Sequence, residues 1–478
     1  MTFAVCRASL LRAVAMGACG ATLALPGCNT DQLLKAEDPD IIIEANSASG
    51  AIAQKNGVIL RLTQATNGIQ GPDALFVFSG LLADEYRSGD TFIQRNLMDQ
   101  RIWDPTNTFL ASPFRFLSRV RVEGQGAIAA LRTYAPTPNT NIGLLFAVIG
   151  YSENLAGELF CNGIPLSYLG GGSQIVYGDP LSVDSVFALA IGSADSALIV
   201  TTTQSPFAAA DSLARKADSL ARLRTRVLAA VVKGRALLNR GQFAAAAAAV
   251  AGVGDTLHFD ISHSLVTTDN QAWSLNTNNR RYTVADTEGV NGLNFFSAND
   301  PRVPRALGTK NPDDLTFDTF VFVIRQGIWG RTSPVKIATG IEARLIEAEA
   351  ALRAGDAALW LSKLNALRAN TTLLPTPQSG YSAGPALAPL TDPGTADARV
   401  DLMFRERAFW MFSTGHRLGD LRRLVRPVTA GGYGRAADAV YPKGPWYKGG
   451  NYGDATMLSL PSDEQNNPKF VQCTDRNP

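Results

Sequence analysis

Residues 335–370 read VKIATGIEARLIEAEAALRAGDAALWLSKLNALRAN. Apolar or small residues recur at three- and four-residue steps: Ile341, Leu345, Ala348 and Leu352, then Leu361, Leu364 and Leu367. That period predicts two amphipathic helices. Gly355-Asp356 falls between them, where a helix C-cap and an Asp N-cap belong. The alanines at 343, 348, 350, 351 and 354 allow close backbone approach. The result is a helical hairpin that cannot bury its apolar face alone and needs a stacked neighbour.

A neighbour of the same design lies upstream. Residues 224–253 read RTRVLAAVVKGRALLNRGQFAAAAAAVAGV, a small-residue helix, Gly241 as breaker, then a second helix from Phe243. Two such units resemble a tetratricopeptide-type array, and an ordinary alanine-rich helical bundle meets the same spacing. The chain between and around them divides accordingly. Helical signals cover 43–67 with Asp40 as a cap, 73–87, 114–134, 141–162, 181–199 and 206–253. Residues 254–334 are rich in Asn, Gly, Thr and aromatics and read as a loop-and-strand insertion. Residues 399–426 read as a last amphipathic helical region, and the tail from 427 is irregular. The expected architecture is mainly α: a hairpin scaffold over about 40–253 and 335–426, a loop-rich insertion at 254–334, and a few short strands. Loops on a rigid scaffold are where binding concentrates.

The chain has 478 residues, 46% hydrophobic and 18% charged, which fits an ordered globular protein. Residues 1–27 are a separate object. Arg7 and Arg12 precede the short apolar run Ala13–Leu25, and Pro26-Gly27-Cys28 follows. The run is too short to span a bilayer comfortably, so it predicts an export signal. Small residues before a cysteine resemble a bacterial lipobox, which makes Cys28 the expected lipidation site and mature N-terminus. No later stretch reads as long and apolar enough for a transmembrane helix. Beyond residue 27 the chain carries 42 basic and 42 acidic residues, so no basic excess points to nucleic acid. Cys161 and Cys473 remain after the signal and the anchor. They could pair in an exported protein or stand as isolated thiols.

An ordered set of motifs then resembles one family. Asn299-Asp300-Pro301-Arg302, the 338–369 hairpin, Glu406-Arg407, Gly415-His416-Arg417, Asp420-Leu421-Arg422-Arg423, and Leu460-Pro461 with Glu464 and Asn467-Pro468 occur in the order found in the SusD/RagB family. Residues 159–166, LFCNGIPL, are similar to that family's YGDVPL element, with Cys161 and Asn162 departing from it. The resemblance implies a single SusD-like domain over 28–478. It implies a lipoprotein anchored in the outer membrane and facing outside. Such a protein binds glycan or other nutrient oligomers, peptides included, and passes them to a TonB-dependent β-barrel transporter of the SusC type.

The chemistry read from the residues agrees with binding. No G-x-S-x-G, H-E-x-x-H or P-loop occurs, and the glycine-rich loop at 167–179 lacks a following GK[ST]. His258 and His263 flank Asp260 at a spacing that is not a zinc pattern, so no metal and no cofactor are expected. Glu406, Arg407, Arg417 and Asp420 read as an internal ion network, because buried charges must be paired. Sugar binding needs flat apolar faces and planar polar groups. Trp103 with Arg101 and Asn107, and Trp273 with Asn278, are the candidate ligand contacts, with Tyr86 and Arg87 beside them. Packed loop aromatics explain any one of these equally well. Two other readings stand beside the first. One is a surface glycoside hydrolase, which needs two carboxylates flanking a cleft. The other is a tetratricopeptide-like scaffold without a small ligand.

Overall fold

The computed structural model describes residues 46–68, 71, 73–170, 174–308 and 314–477. The export signal expected at 1–27, Cys28 and Asp40 lie outside the described residues. The chain is mainly helical. Its first helices are α1 (Ala48–Thr66), α2 (Leu75–Ala83), α3 (Ile93–Asp99), α4 (Ala111–Tyr134) and α5 (Thr140–Leu159). Then come α6 (Val183–Val200), α7 (Ser212–Asn239) and α8 (Phe243–Val250). The C-terminal half holds α9 (Gly340–Arg353), α10 (Ala357–Ala369), α11 (Ala396–Trp410), α12 (Arg417–Val425) and α13 (Ala437–Val440).

The deciding hairpin forms as its capping residues dictate. Thr339 Oγ1 accepts from the Glu342 N–H at 3.0 Å and starts α9. Gly355 takes φ +80°, the left-handed conformation that favours glycine, and ends the turn. Asp356 Oδ1 accepts from the Leu359 N–H at 2.9 Å and starts α10. The upstream unit follows suit, with Gly241 at φ +70° between α7 and α8. The stack runs α1–α4–α5–α6–α7–α8–α9–α10, each helix packed on its neighbours. The approach of α8 to α7 is close at Gly234, where a Cβ would sit 2.5 Å from Val250 Cγ1.

Three expectations are corrected. Residues 335–339 do not open the first hairpin helix. They form β10 (Val335–Thr339), antiparallel to β6 (His258–Ile261). Ile337 and Ala338 are both fully buried beside Val335, so the run reads as one apolar stripe in either conformation. The 73–87 helix stops at Ala83, because Asp84 takes φ 119°, and Tyr86–Ser88 is β1, paired with β7 (Tyr282–Val284). The 399–426 helix is broken, since Ser413 (φ 58°) and Gly415 (φ +75°) separate α11 from α12. Ser47 caps α1, accepting from Gly50 N at 3.1 Å. The apolar reading also needs amending. Val183–Val200 is long and apolar enough to cross a membrane by length and composition, with mean hydropathy 1.6, and here it packs against α5 and α7.

The remaining strands among the described residues pair two by two: β2 (Ile164–Pro165) with β5 (Pro180–Leu181), β3 (Tyr168–Leu169) with β4 (Ile175–Val176), and β8 (Arg305–Leu307) with β9 (Ile324–Gln326). They brace loops and add no continuous sheet core.

Glu406, Arg407, Arg417 and Asp420 are all buried and ion-paired, with partners drawn from several elements. Arg407 grips Asp420 with two bonds of 2.8 and 3.0 Å. Arg423 adds a third at 2.7 Å and also pairs with Glu349 of α9. Glu406 takes Arg302 of the Asn299–Arg302 loop at 2.7 Å and Arg368 of α10 at 2.8 Å. Arg417 crosses to Asp84 with bonds of 2.8 and 3.0 Å. α12 is thereby fastened to α2, α9 and α11.

Next to this network Glu85 is buried, with one oxygen accepting from the Ser413 N–H at 2.7 Å. Burial first, then the charges of Asp84 and Asp420, pushes its carboxyl up to about 8. A carboxyl raised on folding keeps its full stabilising effect below its unfolded value of about 4.3 and loses it as pH rises toward 8. Glu85→Gln keeps the acceptor for Ser413 and removes the charge. It is expected to melt like the parent near pH of about 4 and at a higher temperature above pH of about 8, read by thermal denaturation across pH.

Cys161 and Cys473 form a disulfide across 312 residues of sequence, fastening the C-terminal tail beside the end of α5. A bridge closing so long a loop constrains the unfolded chain strongly. Cys161→Ser/Cys473→Ser is expected to lower the unfolding free energy by about 2–4 kcal/mol. In urea titrations the parent in dithiothreitol should match the double variant.

Candidate ligand-binding surface

Four segments meet where β1 leaves the helical scaffold. The Gly89 N–H donates to Arg281 O at 2.8 Å, and Gly89 O accepts from the Asp318 N–H at 3.1 Å. The Phe317 N–H donates to Arg280 O at 2.9 Å. The loop that ends in β9 is thus stitched to the strand ends of β1 and β7.

Beneath it lies a saturated ion cluster. Asp90, fully buried, accepts from Arg281 Nη1 at 2.6 Å and pairs with Arg95. Arg95 also clasps Asp73 with bonds of 2.8 and 2.9 Å. Lys448 donates to Asp90 O at 3.0 Å and Asn96 Oδ1 at 2.8 Å and pairs with Asp318 at 2.6 Å. Asp318 also accepts from Thr316 Oγ1 at 2.6 Å and the Phe320 N–H at 3.1 Å, a turn that throws the Phe320 side chain outward.

With the charges below satisfied, the rings above face solvent. Phe92, Phe317 and Phe320 are 48%, 44% and 55% exposed, values typical of a contact surface and not of core phenylalanines. The Arg281 guanidinium lies 3.8 Å from the Phe317 ring centre and 5.2 Å from that of Phe92, so one cation joins two rings. Phe320 meets Tyr447 edge-on at 5.7 Å, and Tyr447 meets Trp446 at 5.6 Å. The surface offers flat apolar faces beside the partly accessible Arg281, Asp318 and Lys448. That combination suits the apolar face and hydroxyl rim of a pyranose.

Behind the shelf, Trp446 Nε1 donates to Asp99 at 2.9 Å, as does the Ser88 N–H at 3.1 Å. Asp99 is pushed up to about 8, by burial first and then by the charge of Glu288. Glu288 is itself raised by burial, against the pull of its partners Arg87 and Tyr452. Both acids are at most 2% exposed.

The residues proposed from sequence are placed as follows. Tyr86 is buried on β1, its hydroxyl donating to Ser413 Oγ at 2.7 Å. Arg87 borders the shelf, 5.3 Å over the Tyr447 ring, and donates to Glu288 and Asp286 O. Arg101 is buried, donating to Ala455 O at 3.0 Å and to Pro442 O, with its guanidinium 4.8 Å from the Tyr441 ring centre. Asn107 is buried and accepts from the Phe109 N–H at 3.1 Å, which supports the ring that packs behind Phe92 at 5.8 Å. Trp103 is covered by Arg476 at 4.7 Å and Trp273 by Arg331 at 5.6 Å, two separate pairings. Asn278 is exposed at the end of the π-helical turn Trp273–Asn278.

Sequence reasoning weighed tryptophans and passed over the phenylalanines. The signal available was Thr316-Phe317-Asp318-Thr319-Phe320, two aromatics flanking a turn-forming Asp in a loop. A wide cavity of about 1360 Å³ lies elsewhere, among the hairpin turns. Its charges are spent internally: Arg240 on Asp184, Arg353 on Gly432 O and Arg426 on Asn239 O.

No family model matches the sequence, and no curated protein matches it by sequence. Solved structures do match. A SusD-like carbohydrate binding protein from Bacteroides fragilis has a TM-score of 0.59 at 13% identity, over 89% of this chain and 99% of the other. A surface glycan-binding protein A from Bacteroides thetaiotaomicron gives 0.58 at 13%, over 90% and 99%. A SusD superfamily protein from Bacteroides vulgatus gives 0.57 at 12%, over 90% and 99%. Identities this low speak to architecture, and on that ground the chain has the SusD-like fold.

Proposed function

We propose that this chain is a cell-surface lipoprotein that holds an oligosaccharide on the Phe92–Phe317–Phe320 shelf and passes it to a TonB-dependent β-barrel of the SusC type. The observation that carries the reading is the row of exposed rings above a fully paired ion cluster, on a fold shared with proteins named for carbohydrate binding. The rings stack on sugar faces, while Arg281, Asp318 and Lys448 meet hydroxyls. Arg87 and Asn107 act from behind the shelf. Trp103 and Trp273 then extend contact to longer oligomers.

The reaction is binding without bond cleavage. Asp99 and Glu288 are neighbouring carboxyls whose raised pKa would favour a hydrolase reading, but both are buried beneath the rings, and Glu288 is held by Arg87 and Tyr452. Calorimetry with a panel of neutral and acidic oligosaccharides and peptides tests this. Glycan binding with no product by chromatography supports it, and turnover abolished by Asp99→Asn would replace it with the hydrolase. The anchor rests on Cys28. Cys28→Ala is expected to move the protein from the membrane to the soluble fraction, and an unchanged partition would remove lipidation from the proposal.

A further inference from the structure

The first half of α7 is amphipathic with its polarity reversed. Its packed side is polar: buried Asp218 accepts from Thr140 Oγ1 at 2.6 Å and Arg222 Nη2 at 3.0 Å. Arg222 also reaches Asn139 Oδ1 at 3.0 Å. Thr225 is buried on the same side. Its outer side is apolar: Leu213 is 81% exposed, Leu220 50% and Leu223 43%. The sequence carries this twice, as DSLARKA at 211–217 and DSLARLR at 218–224, which sets the leucines in register.

Lys216 and Arg224 share that outer side. At 3.6 residues per turn the five residues fall within an arc of roughly 100°, and Asp211, Asp218 and Arg222 lie on the opposite side. Both cations are exposed and have no acceptor among the described residues. The face therefore combines an apolar strip with charge of one sign. Against a second copy of itself it would set like charges in register, which is destabilising. Against a surface with apolar depth and negative headgroups both components are satisfied.

We infer that the outer face of α7, formed by Leu213, Lys216, Leu220, Leu223 and Arg224, rests on an anionic membrane surface. This does not depend on the ligand shelf. The contact orients the helical stack at the bilayer through a surface distinct from any acyl chain.

The test uses the full chain with Cys28→Ser, so that no acyl chain contributes. Co-sedimentation is measured with vesicles of phosphatidylcholine plus phosphatidylglycerol and of phosphatidylcholine alone. The parent is expected to bind the mixed vesicles about tenfold more tightly. Leu213→Gln/Leu220→Gln/Leu223→Gln and Lys216→Glu/Arg224→Glu are each expected to cut that binding about tenfold, with unchanged melting temperatures. Amine-reactive labelling of Lys216 should fall when mixed vesicles are added. Equal binding by parent and both variants would overturn the inference. So would loss with the charge reversal alone, which would leave only electrostatic adsorption and no role for the leucine face. A dimer in sedimentation velocity that the leucine variant abolishes would assign it to a second copy, and would equally overturn it.

Discussion

Arg407→Ala will lower the unfolding free energy by about 3–5 kcal/mol. Arg407 is 2% exposed, and its two bonds to Asp420 tie α11 to α12. Its removal leaves Asp420 with Arg423 alone, and Arg423 must also serve Glu349. The cost comes from stranding a buried charge, more than from the attraction lost. Arg407→Lys should recover little, because a single ammonium cannot reproduce the two parallel bonds. Arg399→Ala is the control: Arg399 and Asp392 pair in solvent, and no measurable change is expected in the same urea titration.

The same network sets an acid limit. Burial would raise the Asp420 carboxyl, but Arg407 and Arg423 outweigh it and hold the group well below the usual carboxylate range. Glu342 is likewise lowered against burial, chiefly by His416, whose Nε2 lies 3.1 Å away. A carboxyl depressed on folding stabilises fully above its unfolded pKa of about 4, and that contribution is lost as pH falls below it. The parent should therefore lose stability steeply on acidification below pH of about 4. Arg407→Ala should show a shallower acid limb, because its Asp420 is no longer held so low.

Much of the scaffold was legible because its determinants are local. Gly355-Asp356 and Gly241 sit at the turns that their conformational freedom and capping chemistry require. The elements misjudged were those decided at long range. Ser413 adopts its left-handed conformation where its N–H meets Glu85 and its hydroxyl meets Tyr86, more than 300 residues away in sequence. No window around 413 contains that information. The strand at 335–339 is fixed by its partner at 258–261, and its own apolar run is compatible with either state. The ordered motifs also found their reason only in space: Arg302 and Glu406, 104 residues apart, close on each other at 2.7 Å. The shelf follows the same logic. Phe317 and Phe320 read as ordinary loop aromatics until Gly89, Arg280 and Lys448 pin the loop beneath them.

Phe317→Ala/Phe320→Ala should reduce oligosaccharide affinity by about 2 kcal/mol, roughly 30-fold, in calorimetry with the best ligand of the panel. Both rings stand on a turn held by backbone bonds and by Asp318, so their removal leaves the loop fixed. The melting temperature should stay within the scatter of surface substitutions. That separation distinguishes a binding surface from a packing one: a core aromatic cut to alanine costs stability, by about 3–5 kcal/mol. Phe78→Ala, at a fully buried position of α2, supplies that contrast. Trp103→Ala and Trp273→Ala refine the outcome. If the rings hold the first sugar units and the tryptophans meet later ones, the phenylalanine variant weakens short and long oligomers alike, whereas the tryptophan variants weaken only the long ones. Affinity untouched by the phenylalanine pair but lost with Trp103 or Trp273 would move the site off the shelf and onto the tryptophan loops.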